Sequence, residues 1–497
     1  MAEWDFIEFD STNINIRAIA CIPLEIAEKY IIFPYKLEKN QLQIISSQIL
    51  NKEAIEHVRN ISKKEVKFSL GDGKLIEEAI EEFYRKKATE IMLLEIEEES
   101  KERNIVSEKV SNLIGSSPIV KLTNYILNSA VNTSASDIHM EPNKGYVQVR
   151  FRVDGILRED IKFPINIYNS ILTRIKVMAK MDIIEKRIPQ DGKFELSISD
   201  STYDFRVSTM PIIFGEKLVL RILYKSTSKQ KIEALFKEDA LILVKSILSY
   251  SHGIFLVTGP TGSGKSTTLY AMLNYLNNKE KNIITLEDPV EYILEGISQI
   301  NINSKLGLTF AKGLRSVLRQ DPDIIMLGEI RDEETAEIAV RAAITGHLVL
   351  ATIHTNDSYS AILRLLDMGV PRYLISDALI GVMAQRLVRS LCPYCRGEDK
   401  IKEEYNLLNI PKGNRIYKAI GCTRCNNTGY KGRMVISEIL SIDSKLRERI
   451  INCNSIDELR LHSLTNKMTL LKDNCVSLIL EGRTTVEEYN RVVFSSY

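Results

Sequence analysis

Nine consecutive residues, Gly259, Pro260, Thr261, Gly262, Ser263, Gly264, Lys265, Ser266 and Thr267, read GPTGSGKST and satisfy the spacing G-x-x-x-x-G-K-[ST] in full. The glycines let a backbone curl so that its N–H groups converge on phosphate oxygens, and a helix starting at the lysine adds positive potential there. Lys265 is then set to neutralise β- and γ-phosphate charge, and the Ser266 hydroxyl to ligate Mg²⁺. An apolar run, GIFLVT, precedes the loop and a helix-forming run follows it, the setting the motif needs. The chemistry indicated is binding of a nucleoside triphosphate with Mg²⁺, a property that kinases, GTPases and motors share.

Two later segments supply carboxylates. ITLEDPVEY puts Glu287 and Asp288 at the end of one apolar run, and DIIMLGEIRD ends another with Glu329, Gly328 standing where a Mg²⁺-binding Asp is usual. One carboxylate near the phosphates can orient water while another helps hold Mg²⁺ through solvent, and the spacing does not say which does which. Strand-end carboxylates also act as caps, a reading left open for both. His347 and His354 in TGHLVLATIHTND are equally two-sided, since sensing phosphate and bracing a strand look alike in sequence.

Cys392 and Cys395 in CPYC, with Cys422 and Cys425 in CTRC, form two C-x-x-C knuckles separated by residues 396–421. Each offers two thiolates to one tetrahedral Zn²⁺, and four protein ligands leave no open position, so the expected site is structural.

These groups need a scaffold. The chain has 497 residues, room for about three or four domains. Hydrophobic residues at 44% and charged residues at 26% exclude a wholly disordered, collagen-like or polytopic membrane chain. Lys+Arg 66 against Asp+Glu 65 gives no global field to draw the chain onto nucleic acid. The acidic start MAEWDFIEFD and the lack of a run of about 20 apolar residues give a cytoplasmic expectation. Short apolar runs and a helix over Glu53–Arg59 suggest a small α+β domain at 1–90, followed by a charged linker at 91–115. Pro118 opens a helix in a second, mixed module at 116–225 with strands YVQVRFRV, DFRVSTM and KLVLRIL, and 226–232 is its exit linker. From 233 to 497, the strands GIFLVT, NIITL, DIIML and HLVLAT alternate with helices, the pattern of an α/β domain with a largely parallel sheet.

ASDIHMEP, RFRVDG, RIPQDG, FRVSTMP, the phosphate loop, LEDPVEY, LRQDPDIIMLGEIRD and TGHLVLATIHTND, in that order, give the chain a resemblance to the ATPases of type IV pilus assembly and type II protein secretion. The fold implied is multidomain α/β: a RecA-like P-loop domain, preceded by a PAS-like α+β domain and the small N-terminal domain, with a tetracysteine zinc subdomain at 390–432. The resemblance favours Glu287 as general base and Glu329 as a supporting Mg²⁺ and water carboxylate, and puts His347 and His354 close to the nucleotide. It also brings Arg206 and Arg221 from the preceding domain to the γ-phosphate of a neighbouring site. An arginine so supplied contributes about 10³–10⁵ in rate. Lys193 and Lys217 stand where many relatives have Arg, so no nucleotide role is assigned to them.

Retraction-type relatives usually lack the zinc subdomain and the long N-terminal region, so an assembly motor is expected. It would be a homo-hexamer hydrolysing ATP at the inner face of the cell membrane, docked through a membrane-associated adaptor. It would drive an inner-membrane platform protein that moves pilin or pseudopilin. Type II secretion and a DNA-uptake pilus remain alternatives to pilus assembly. A nucleic-acid motor is disfavoured by the charge balance, and a non-hydrolysing scaffold by the intact Lys265, Ser266, Glu287 and Glu329. The sequence shows no second N-terminal module with the RLG-type repeats that bind cyclic di-GMP in some relatives, and that ligand is not expected.

Overall fold

The computed structural model describes residues 4–7, 14–19, 21–38, 41–77, 79–80, 83–84, 118–198, 201–224, 230–400, 414–452, 459 and 468–493. The charged linker at 91–115 and most of the linker at 226–232 lie outside the described residues. The chain divides into two compact units, Met1–Ile198 with Phe205–Ile222, and Ser199–Asp204 with Leu223–Tyr497.

In the first unit the N-terminal segment builds a three-stranded sheet from β1 (Ile32–Glu38), β2 (Gln41–Ser46) and β3 (Glu65–Leu70), with β1 antiparallel and β3 parallel to the central β2. The parallel pair requires a crossover, supplied by helix α1 (Lys52–Ser62), which Asn51 caps by accepting the Ala54 N–H at 2.8 Å. Phe33, Leu42, Ile44, Val58 and Phe68 form its core.

The same unit carries a six-stranded sheet in the order β6-β5-β4-β9-β8-β7, from β4 (Ala135–Pro142), β5 (Tyr146–Val153), β6 (Ile156–Pro164), β7 (Gln190–Ile198), β8 (Ser201–Ile212) and β9 (Gly215–Leu223). Helices α2 (Pro118–Asn132) and α3 (Ile165–Met178) belong to this module. The strands alternate buried apolar residues, such as Val147, Val149 and Phe151, with polar ones, as a sheet with one covered face requires.

The second unit is built on a seven-stranded sheet in the order β12-β11-β13-β14-β10-β15-β18. Its members are β10 (Gly253–Thr258), β11 (Ile283–Glu287), β12 (Ser298–Asn301), β13 (Ile324–Leu327), β14 (Leu348–Ile353), β15 (Leu379–Leu391) and β18 (Tyr430–Ser441). All neighbours are parallel except β15 and β18. Ile254 and Leu256 enter one core and Phe255 and Val257 the other, so helices cover both faces and the strands read as continuous apolar runs. A small ribbon of β16 (Gly397–Asp399) and β17 (Ile416–Lys418) lies between the cysteine knuckles in sequence. Among the described residues no helix is long and apolar enough to cross a membrane.

Candidate nucleotide site and tetracysteine cluster

Register brings the chemistry together. Thr258 on β10 lies opposite Ile353 on β14 and Ala384 on β15, and Leu327 on β13 lies opposite Leu286 on β11. The residues just beyond these pairs, Gly259, His354, Gln385, Gly328 and Glu287, therefore share the carboxyl end of the parallel sheet, where open α/β sheets bind ligands.

The phosphate loop leaves β10 with Gly259 at φ 150°, passes Gly262 at φ 79° and enters helix α4 (Lys265–Leu276) through Gly264 at φ 88°. Ser266 is exposed on the first turn, as a Mg²⁺ ligand must be, with Thr267 half-buried beside it and Pro260, Thr261 and Gly262 exposed on the outer rim. The Lys265 ammonium folds back on the loop, donating to the Gly259 carbonyl at 2.7 Å and the Pro260 carbonyl at 3.1 Å. Burial brings its pKa down to about 8, with Glu329 opposing and Arg386 adding to the fall. The Ser263 hydroxyl is buried and has no hydrogen-bond partner. A curled glycine loop, a buried cation and an orphaned hydroxyl fit a phosphate group.

Glu329 is largely buried, pairs with the Arg331 guanidinium and has His354 Nε2 3.6 Å from its Oε2. Partial burial and the nearby Lys265 hold His354 below the ordinary histidine range, although Glu329 pulls the other way. Glu287 is differently housed. It is 4% exposed, and its oxygens accept from Thr285 Oγ1 at 2.5 Å, Gln299 Nε2 at 3.1 Å and the Tyr270 hydroxyl. Three donors fill most of a carboxylate's lone-pair sites. Asp288 is exposed beside it, at a cis Asp288–Pro289 peptide bond.

Gly328 has a steric reason to replace an Asp. A Cβ there would lie 3.2 Å from the Leu286 carbonyl oxygen and 3.4 Å from the Glu287 Cα. Two other acids of these motifs are helix caps: Asp332 accepts from the Thr335 N–H at 2.8 Å and Asp357 from the Ser360 N–H at 2.7 Å.

His347 is a correction to the sequence-based expectation that it stands close to the nucleotide. It sits just before Leu348 at the amino end of β14, its carbonyl accepting the Gly253 N–H at 3.1 Å and its Nδ1 donating to the Ala342 carbonyl at 2.9 Å. The six residues of β14 separate it from the phosphate-loop end by about 20 Å at ~3.3 Å per residue. Within its own unit it braces a strand.

In the first unit Arg221 Nε is 3.0 Å from Asp137 Oδ1, directly across the β4–β9 register, and the arginine stays 60% exposed. Arg206 lies on β8, half-buried. Lys217 pairs with Glu141 at 2.6 Å, a carboxylate that also binds Arg150, and Lys193 is exposed.

The four cysteine sulfurs all lie within 4.8 Å of one another. The Cys392–Cys422, Cys395–Cys425 and Cys422–Cys425 separations are 3.9, 3.7 and 3.7 Å. A tetrahedron with metal–sulfur bonds of about 2.3 Å has edges of about 3.8 Å, so the donor set fits Zn²⁺. Burial pushes the Cys395 thiol up to about 12. At Cys425 burial also opposes ionisation, yet the N–H groups of Cys422 and Gly429, each at 3.2 Å, bring the thiol down to about 6.

The sequence reading missed Gln385, Arg386, Tyr270 and Gln299. The one signal for the first two was a polar pair inside the apolar run LIGVMAQRLV.

Comparison with known proteins adds lineage. The family described as "Type II/IV secretion system protein" matches residues 112–491, and the MshEN domain matches residues 4–90. Type II secretion system protein E of Aeromonas hydrophila is 45% identical over 78% of this chain and 78% of its own length. Type IV pilus assembly ATPase PilB of Myxococcus xanthus is 39% identical over 97% of this chain and 88% of its own. The crystal structure of the pilus retraction motor PilT with bound ADP is 27% identical and superposes with a TM-score of 0.50, covering 73% of this chain and 94% of that one. A match over most of the chain, with the phosphate loop, the strand-end carboxylates and the four cysteines all inside it, places this protein in the type II/IV secretion system protein family.

Proposed function

We propose that the chain hydrolyses ATP as the subunit of a homo-hexameric motor that powers type IV pilus assembly at the inner face of the cell membrane. The observation that carries the reading is the meeting of Lys265, Glu329 and His354 at the phosphate loop. In place of Glu287, which the resemblance favours as general base but which three donors enclose, Glu329 orients the attacking water and takes its proton, Lys265 neutralises phosphate charge, and Ser266 is the residue that would hold Mg²⁺, whose contribution is to offset charge on the phosphates. Arg206 and Arg221 of a neighbouring chain complete the site. Pilus assembly is preferred over type II secretion because the pilus-assembly relative aligns over 97% of this chain, N-terminal domain included, against 78% for the secretion relative. That domain is the docking module for a membrane-associated adaptor, and the moving part acts on an inner-membrane platform protein.

The test is deletion and complementation in the host. Pili are lost on deletion and return with the wild-type chain. Neither Arg206→Ala nor Lys265→Ala restores them alone, and the two co-expressed restore some, because an interface then combines one intact loop with one intact arginine. Lost protein secretion with pili intact overturns the pilus reading, and full rescue by Arg206→Ala alone overturns the shared site.

Lys265 adds a pH dependence. Its pKa is down to about 8 without nucleotide, and bound phosphates raise it by stabilising the ammonium. Binding therefore takes up a proton above that pH, so affinity is full below about 8 and falls as pH rises through it. ADP is expected to bind roughly tenfold more weakly at pH 9 than at pH 7. Calorimetry on the Lys265→Arg variant, whose charge does not titrate, should show a flat profile.

A further inference from the structure

The phosphate loop rests on one side chain that no motif names. Gln385, on β15 just past the residue paired with Thr258, is 0% exposed. Its Nε2 donates to the Ser263 carbonyl at 2.8 Å, and its Oε1 accepts from Thr268 Oγ1, also at 2.8 Å. One amide thus spans the loop and the second turn of α4, with both ends used in their proper polarity.

The loop glycines are fitted to the same residue, one to its backbone and one to its amide. A Cβ on Gly259 would stand 2.5 Å from the Gln385 carbonyl oxygen, and one on Gly264 would stand 2.9 Å from the Gln385 Nε2. Both glycines are therefore required by the floor beneath the loop as well as by its positive φ.

We propose that Gln385 is a positioning residue for phosphate binding, acting by setting the orientation of the Ser263–Gly264 peptide. The plane of a trans peptide carries C=O and N–H in opposite directions. With the Ser263 carbonyl drawn down onto Gln385, the Gly264 N–H is turned away from β15, toward the side on which the phosphates lie. The proposal deepens the nucleotide reading above and rests on it. Without Gln385 the carbonyl loses its buried partner and the peptide is free to rotate, which would aim an oxygen lone pair at the phosphates.

The loop meets the phosphates in ground state and transition state alike, so losing this support weakens binding more than it slows the chemical step. In the full-length protein, Gln385→Leu is expected to raise the KM for ATP and the Kd for ADP by about tenfold or more, with kcat changed far less. Thr268→Val removes one of the two bonds and should cost a few-fold in ADP affinity, which Thr268→Ser restores. If Gln385→Leu does not fold, the Thr268 pair alone decides: ADP affinity in Thr268→Val equal to wild type sinks the proposal. A folded Gln385→Leu that binds ADP like wild type, or one whose kcat falls while KM holds, overturns it and leaves the nucleotide reading intact. A wild-type chain that binds neither ATP nor ADP overturns both.

Discussion

Stripping metal from the tetracysteine cluster is expected to cost the knuckle region its fold, an effect on the order of 10 kcal/mol in the metal-bound equilibrium. The segment from Cys392 to Tyr430 has little apolar core of its own: among its described residues only Cys392, Ile416, Cys425 and Tyr430 are buried apolar side chains. What ties it together is the four sulfurs and a few backbone bonds, such as Cys392 N–H to the Gly429 carbonyl at 2.9 Å. Without a cation, Cys395 is a neutral thiol at any physiological pH, its pKa pushed up to about 12 by burial. Metal loading must therefore release protons, so retention weakens as pH falls, and more steeply once Cys425, whose thiol the Cys422 and Gly429 N–H groups bring down, is protonated as well. One Zn²⁺ per chain by elemental analysis is the first expectation. Cys392→Ser and Cys425→Ser should then lose amide-exchange protection around Gly429 and melt well below wild type. Metal-free protein that keeps that protection, or cysteine variants that melt with wild type, would overturn the site.

Much of this fold is legible because its signals are local. Pro118 announces the helix that begins at it, the run Glu53–Arg59 falls inside α1, and GIFLVT is a strand from its first residue to its last. The parallel sheet follows from continuous apolar runs separated by helical spans, since a strand buried on both faces has no polar alternation to show. The long β15 is harder to read. It opens as LIGVMA, an apolar stretch that suits a buried helix equally well, and only its pairing with β10 on one side and β18 on the other makes it a strand.

The site divides along the same line. The phosphate loop and the cysteine knuckles declare themselves because their chemistry lives in contiguous spacing. The strand-end groups do not, because their environment is set by neighbours remote in sequence. Glu287 and Glu329 look interchangeable as letters, yet one is enclosed by Tyr270, Thr285 and Gln299 while the other faces Lys265, Arg331 and His354. His347 and His354 share a motif, but a strand of six residues puts them at opposite ends of the sheet.

That difference in housing yields the sharpest kinetic contrast. Glu329→Gln keeps size and shape but removes the proton acceptor, so kcat should fall by about 10²–10⁴. ATP should still bind, and no more weakly, because the variant takes a negative charge away from beside the phosphates. Losing that charge also removes the influence that holds the Lys265 pKa up, so the pH-dependent weakening of ADP binding should begin lower than in wild type. Glu287→Gln works through a different route. Its new amide nitrogen either faces the Gln299 amide donor or makes the Tyr270 hydroxyl turn from donor to acceptor in a buried pocket, which costs about 1–3 kcal/mol of stability, and turnover falls as the end of β11 loosens. Thermal melts and single-turnover rates on the two variants separate the roles. A normally stable Glu287→Gln with no turnover, beside an active Glu329→Gln, would return the general base to Glu287 and require Tyr270 and Gln299 to swing away when nucleotide binds.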